Sequence, residues 1–201
     1  MKDSKHRAEV KSGFHRRDFL RGSGAVAAAT ALQTQAAEAA QGNQGSEVVR
    51  GEKTITLNVN GKAQTVKAEP RTTLLEVLRY QLDLTGCKPV CPHGSAGTST
   101  VYLDGKPVEA ATTLALAAEG KKIETVESLG GSDAVVKAFV ANDAQQCGFC
   151  TPGFVMAVRA FLNKNPQATE QQIREGLNGN LCRCGTYSNI IQAAIAVVKG
   201  G

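Results

Sequence analysis

The stretch "QQCGFCTPGF", Gln145–Phe154, decides the C-terminal half of this chain. Cys147 and Cys150 stand two residues apart around a glycine, and Pro152 then opens "PGFVMAVRAFLNKN", whose apolar residues recur at three-and-four spacing. A chelating loop therefore runs straight into a predicted helix, with proline in the first turn where its missing N–H costs nothing. A second pair follows after 31 intervening residues, Cys182 and Cys184 in "GNLCRCGTY", ahead of "NIIQAAIAVVKG". Each pair begins or ends a predicted helix, so a bundle can bring both loops to one end. Four converging thiolates suit either Zn²⁺ or an iron–sulfur cluster. The Cys-x-Cys spacing is tighter than a usual zinc knuckle; disulfides and unliganded thiols are the remaining readings.

Working outward, "SDAVVKAFVANDA" and "TEQQIREGLNG" complete four helical segments after Gly130. Ser132 is the expected N-cap of the first, and Thr169 that of the third, with Gln172 forming a capping box. Upstream the periodicity changes to two. Ile55, Leu57 and Val59 alternate with polar residues, Asn60-Gly61 supplies a tight turn, and Ala63 to Val66 returns. Leu74 to Leu82 repeats at helical spacing behind the candidate caps Thr72 and Thr73. "TSTVYL", Asp104-Gly105 and "KPVEA" predict a second hairpin, "TTLALAAEG" a short helix, and "KKIETVES" a last strand. The expectation is an α+β chain in which a small mixed sheet over residues 53–129 precedes a four-helix unit over residues 130–201.

The chain of 201 residues is 42% hydrophobic and 20% charged, as expected for a globular protein. Residues 1–40 carry 7 Lys/Arg and 4 Asp/Glu, leaving 16 and 14 for the remainder, so the formal net charge of +5 is largely a property of the N-terminus. That balance, with no Trp, gives no basis for nucleic-acid binding. Residues 1–40 read as a targeting segment and 41–52 as a linker. Arg16 and Arg17 precede Phe19-Leu20, a mild apolar run, and an Ala-x-Ala site at Ala37–Ala39. The segment resembles the twin-arginine export signal of bacteria, departing from the usual pattern at His15; a disordered basic tail is the plainer reading. The run Ala25–Leu32 is too short and alanine-rich to span a bilayer.

Around the cysteines, "QQCGFCTPGF" and "GNLCRCGTY..II.A" resemble the helical iron–sulfur domain of the molybdenum hydroxylases, the xanthine dehydrogenase and aldehyde oxidoreductase family. The resemblance extends through "LTG.K", "HG", "V.LDGKPV" and "EG....T.E.L", nearly the whole mature chain. It implies a β-grasp, ferredoxin-like domain followed by a four-helix-bundle [2Fe-2S]-binding domain. It also implies that Cys147, Cys150, Cys182 and Cys184 hold the cluster nearest the molybdenum cofactor. By the same resemblance Gln146 faces the pterin of a partner subunit; on residues alone it reads equally well as a capping glutamine.

The resemblance also places the four ligands of a second, plant-type cluster at Cys91, Ala96, Ser99 and Ala111. Serine is a poor substitute for a thiolate and alanine has no donor, so the ferredoxin-like domain is expected to fold without a cluster. Cys87 and Cys91 could pair as a disulfide, remain free, or join His93 on a metal; each reading is open. The function expected is an electron-transfer subunit with one [2Fe-2S] cluster, serving a large molybdopterin-binding subunit in the periplasm. The electron acceptor would be a cytochrome c or another periplasmic carrier. A non-catalytic structural or assembly subunit, and a zinc-stabilised binding module, are the alternatives.

Overall fold

The computed structural model describes residues 48–200; the expected signal segment, Arg16 and Arg17 included, lies outside them. Strands β1 (Lys53–Val59) and β2 (Lys62–Ala68) form the expected hairpin. Asn60 (φ 51°) and Gly61 (φ 77°) make its left-handed turn, while Ile55, Leu57 and Val59 point inward. Strands β3 (Thr100–Leu103) and β4 (Lys106–Glu109) form the second hairpin, turning at Asp104-Gly105. Strand β5 (Lys122–Glu124) inserts between them, parallel to β1 and antiparallel to β3, giving the order β2-β1-β5-β3-β4.

Helix α1 (Leu74–Glu76) is closed by a capping box: the Glu76 amide donates to Thr73 Oγ1 at 3.2 Å and the Thr73 amide to Glu76 Oε2 at 2.7 Å. It continues as a π-helical turn over Val77–Gln81, and Leu74, Leu75, Val77 and Leu78 fill the core of the sheet. "TTLALAAEG" shortens to a 3₁₀ turn over Leu116–Ala118.

The C-terminal part comprises α2 (Ala134–Ala141), α3 (Thr151–Lys164), α4 (Glu170–Gly176) and α5 (Tyr187–Val198). Thr169 and Gln172 form the predicted capping box. The cap of α2, however, is Asp133 and not Ser132. The Asp133 carboxylate accepts from the amides of Val135 and Val136, and also pairs with Arg159 at 3.1 Å, an ion pair that a serine could not make.

Two hydrophobic clusters result, one within the sheet and one among the helices, joined by Tyr102, Met156 and Ala160. Tyr102 Oη donates to the Met156 carbonyl at 2.9 Å. The closest junction is made by loop backbone: a Cβ on Gly153 would stand 2.2 Å from the Gly97 carbonyl oxygen. Only glycine permits that approach. Among the described residues no helix is long and apolar enough to cross a membrane.

Candidate metal centre

Cys147 and Cys150 lie in the turn entering α3, and Cys182 and Cys184 in the turn entering α5. The first-turn amides of both helices lack intrahelical partners, and their dipoles favour negative charge there. The four thiols meet as two pairs, each with one member from either turn. Cys147 contacts Cys184, both exposed, and Cys150 contacts Cys182, both buried.

The two pairs hold their protons unequally. Burial opposes ionisation of Cys182, yet the hydroxyl and amide of Thr186, the Cys150 thiol and the Cys184 amide together bring it down to about 7. Burial, and then donation of its own proton to Cys182, push Cys150 up to about 12. Cys147 is lowered by the Phe149 amide and by Cys184. Cys184 is raised: the Cys147 amide pulls it down, but donation of its own proton to Cys147, desolvation and the neighbouring thiols outweigh that pull. Thr186 Oγ1 lies 3.1 Å from Cys182 Sγ, and the Cys182 amide donates to Tyr187 Oη at 2.8 Å. Sequence reasoning singled out the cysteines and missed both of these partners; a threonine at the N-cap position of α5 was the available signal.

This donor set fits a binuclear centre. Four thiols share one end of the bundle, and Cys147 and Cys182 are shifted toward the thiolate form that a metal ligand needs. A single Zn²⁺ draws its thiolates onto one point, whereas two irons divide them into pairs. Thr151, directly after Cys150, keeps a buried hydroxyl with no hydrogen-bond partner in the chain, a polar atom left available to a bound group. Gln146 is exposed beside Cys147.

The loop holding Cys91, Ala96 and Ser99 does not fit a cluster. Ala96 and Ala111 are buried and carry no donor. Ser99 Oγ donates to Glu109 Oε2 at 2.7 Å and accepts from the Ala111 amide at 3.2 Å. Thr100 Oγ1 donates to Glu109 Oε1 at 2.6 Å. Ser99, Thr100 and the Ala111 amide are thus tied together through the Glu109 carboxylate and the Ser99 hydroxyl. Cys91 Sγ lies 3.0 Å from Ser95 Oγ. That hydroxyl, followed by the amides of Ser95, His93 and Gly94, lowers its pKa. Cys87 instead turns inward toward the Ser99 carbonyl, 3.9 Å away, and both thiols are free.

The loop nonetheless abuts the metal centre. The Leu181 amide, one residue before Cys182, donates to the Ala96 carbonyl at 3.0 Å, and Asn180 Nδ2 donates to the Gly97 carbonyl at 2.8 Å. Lys88 Nζ lies 5.8 Å from the centroid of the exposed Phe149 ring.

Residues 125–195 match the [2Fe-2S] binding domain family, and residues 13–32 match the TAT (twin-arginine translocation) pathway signal sequence. The chain is 42% identical over 143 residues to the nicotine 6-hydroxylase small subunit of Paenarthrobacter nicotinovorans, spanning 70% of this chain and 87% of that one. It is 36% identical over 199 residues to the aldehyde oxidoreductase iron-sulfur-binding subunit of Escherichia coli K12, spanning 89% and 85% respectively. In structure it matches quinoline 2-oxidoreductase from Pseudomonas putida 86 with a TM-score of 0.70 at 40% identity, over 74% of this chain and 95% of that chain. With the α+β architecture and the paired thiols in place, these likenesses are decisive: the chain belongs to the iron–sulfur subunits of the molybdenum hydroxylases.

Proposed function

We propose that this chain is a one-cluster electron relay, with Cys147, Cys150, Cys182 and Cys184 as the ligands and Gln146 directed at the pterin of a large molybdopterin-binding subunit. The working units are a ferredoxin-like domain over residues 53–129, without a cluster, and a cluster-binding domain over residues 130–201. When bound, the [2Fe-2S] group supplies a site that accepts and releases single electrons with little change of geometry. The remaining work falls to the chain. Helices α3 and α5 hold both thiol pairs at one end, burial of Cys150 and Cys182 keeps water from one side, and Cys147 and Cys184 face outward toward a partner. The observation that carries the reading is the contrast between the two loops: four paired thiols in one, and a single thiol with a serine–glutamate network in the other.

Losing the second site removes the outer relay that the family arrangement implies. Electrons then pass directly from the remaining centre to an acceptor, a cytochrome c or another periplasmic carrier, and the twin-arginine segment supports export of the folded, loaded chain to that compartment. The test is iron and acid-labile sulfide in anaerobically purified native complex, with spectroscopy of the reduced form. About two Fe and two sulfides per chain with one reducible species are expected. Four Fe would overturn the one-cluster reading, and stoichiometric zinc without sulfide would replace it with a structural module.

A further inference from the structure

We propose that Thr186 is a positioning residue that raises the reduction potential of the centre by donating a hydrogen bond to Cys182 Sγ. The inference rests on the reading of the four cysteines as cluster ligands.

Thr186 occupies the N-cap position of α5, where a threonine hydroxyl ordinarily accepts from an amide of the first turn. Here it makes no such bond. The hydroxyl turns the other way and sits 3.1 Å from Cys182 Sγ. Its position is fixed from both sides. The next residue, Tyr187, accepts the Cys182 amide at 2.8 Å, and its ring packs edge-on against Phe154 with 6.1 Å between centroids. Backbone and side chain of residues 186–187 thus clamp Cys182 at two points.

The direction of the bond follows from the chemistry. A thiolate bound to metal has no proton to give, so the sulfur accepts and the hydroxyl donates. Its partner in the buried pair, Cys150, has no comparable hydroxyl bonded to it, since the adjacent Thr151 oxygen has no partner in the chain. Were a [2Fe-2S] group held by these thiolates, the negative charge added on reduction would be shared by the ligand sulfurs. A donor aimed at one of them stabilises the reduced state more than the oxidised state, and the potential rises. Cys182 also follows Leu181, whose amide bonds the Ala96 carbonyl, so the turn carrying the tuned sulfur is braced against the loop at residues 96–97.

The test compares Thr186→Val, Thr186→Ala and Thr186→Ser in the native complex, purified anaerobically, by iron and sulfide content and by a redox titration followed through the reduced-state EPR signal. The valine and alanine variants are expected to take up electrons on the order of tenfold less readily, a negative shift of about 59 mV for a one-electron couple. Serine, which keeps the hydroxyl, should restore the native potential. An iron-loaded valine or alanine variant with unshifted potential would overturn the proposal, as would a serine variant displaced as far as valine. If valine fails to retain iron, the alanine–serine pair decides the question on the same readout. Absence of iron and sulfide from the unmodified protein is a different result, and it would sink the cluster reading itself.

Discussion

Gly153 at the head of α3 meets the carbonyl of Gly97 so closely that an added Cβ would lie 2.2 Å from the oxygen and 2.9 Å from Thr98 Cα. Both obstacles are backbone, so neither can swing aside. Gly153→Ala is expected to lower stability by about 1–3 kcal/mol, the usual range for overpacking. Gly131→Ala, where a Cβ meets nothing within 4 Å, should stay within about 0.5 kcal/mol of the parent. Thermal or urea melts of the two variants side by side check this.

Glu109 receives the hydroxyls of Ser99 and Thr100 at 2.7 and 2.6 Å, across the β3–β4 register that sets Thr100 opposite Glu109. Removing this acceptor leaves the buried Ser99 hydroxyl without its acceptor, while the Thr100 hydroxyl still reaches the Gly97 carbonyl at 2.8 Å. Glu109→Ala should cost about 1–3 kcal/mol, and Glu109→Gln, which keeps an acceptor, should cost less. Limited proteolysis should locate the loosened segment at residues 91–99.

Cys91 is the single thiol among the positions that the family resemblance assigns to a second cluster, whereas Cys150 belongs to the buried thiol pair. Cys91→Ser is expected to leave iron and sulfide content at the parent level, and Cys150→Ser to abolish or severely reduce both. Equal loss of iron in the two variants would contradict the one-cluster reading.

Burial, reinforced by the nearby carboxylates of Glu127 and Glu109, pushes the Cys87 thiol from 9.0 up to about 12. The folded state therefore keeps a proton that the unfolded state releases, and stability should fall as pH rises between about 9 and 12. Below that window the contribution is fully present. Cys87→Ala should flatten the decline in an alkaline stability profile. Alkylation of the cluster-loaded protein should also label half-buried Cys91 well before buried Cys87, whose reaction should await unfolding.

Changing Arg16 and Arg17 together to Lys should stop export of the folded chain. Periplasmic accumulation of the double variant, followed by cell fractionation, would exclude the twin-arginine route.

Much of this architecture is legible from short-range chemistry. Asn60-Gly61 and Asp104-Gly105 fix both hairpins because left-handed turns accept few residues, and Thr169 with Gln172 declares a helix start three residues ahead. The cap at Asp133 was misread by one position because Ser132 is an equally good capping type locally; the deciding partner, Arg159, lies on another helix. The π-helical turn at Val77–Gln81 spans too few residues for periodicity to separate it from an α-helix. At the metal centre the cysteine spacing names the thiols, but their division into Cys147/Cys184 and Cys150/Cys182 depends on how two helix ends meet. The link from Ser99 to Glu109 crosses a hairpin, and nothing in the loop itself announces it.

The carbonyls of Ala96 and Gly97 serve Leu181, Asn180 and the approach of Gly153, all through backbone atoms that take no account of which side chains the loop carries. At Ala96 side-chain identity and main-chain path are therefore separable, whereas at Gly97 an added Cβ would stand 2.6 Å from the Gly179 carbonyl oxygen. Its thiols could be exchanged for alanine and serine without disturbing the helices, whereas deleting or rerouting the strand of chain would remove the wall against which the Cys182 turn is built.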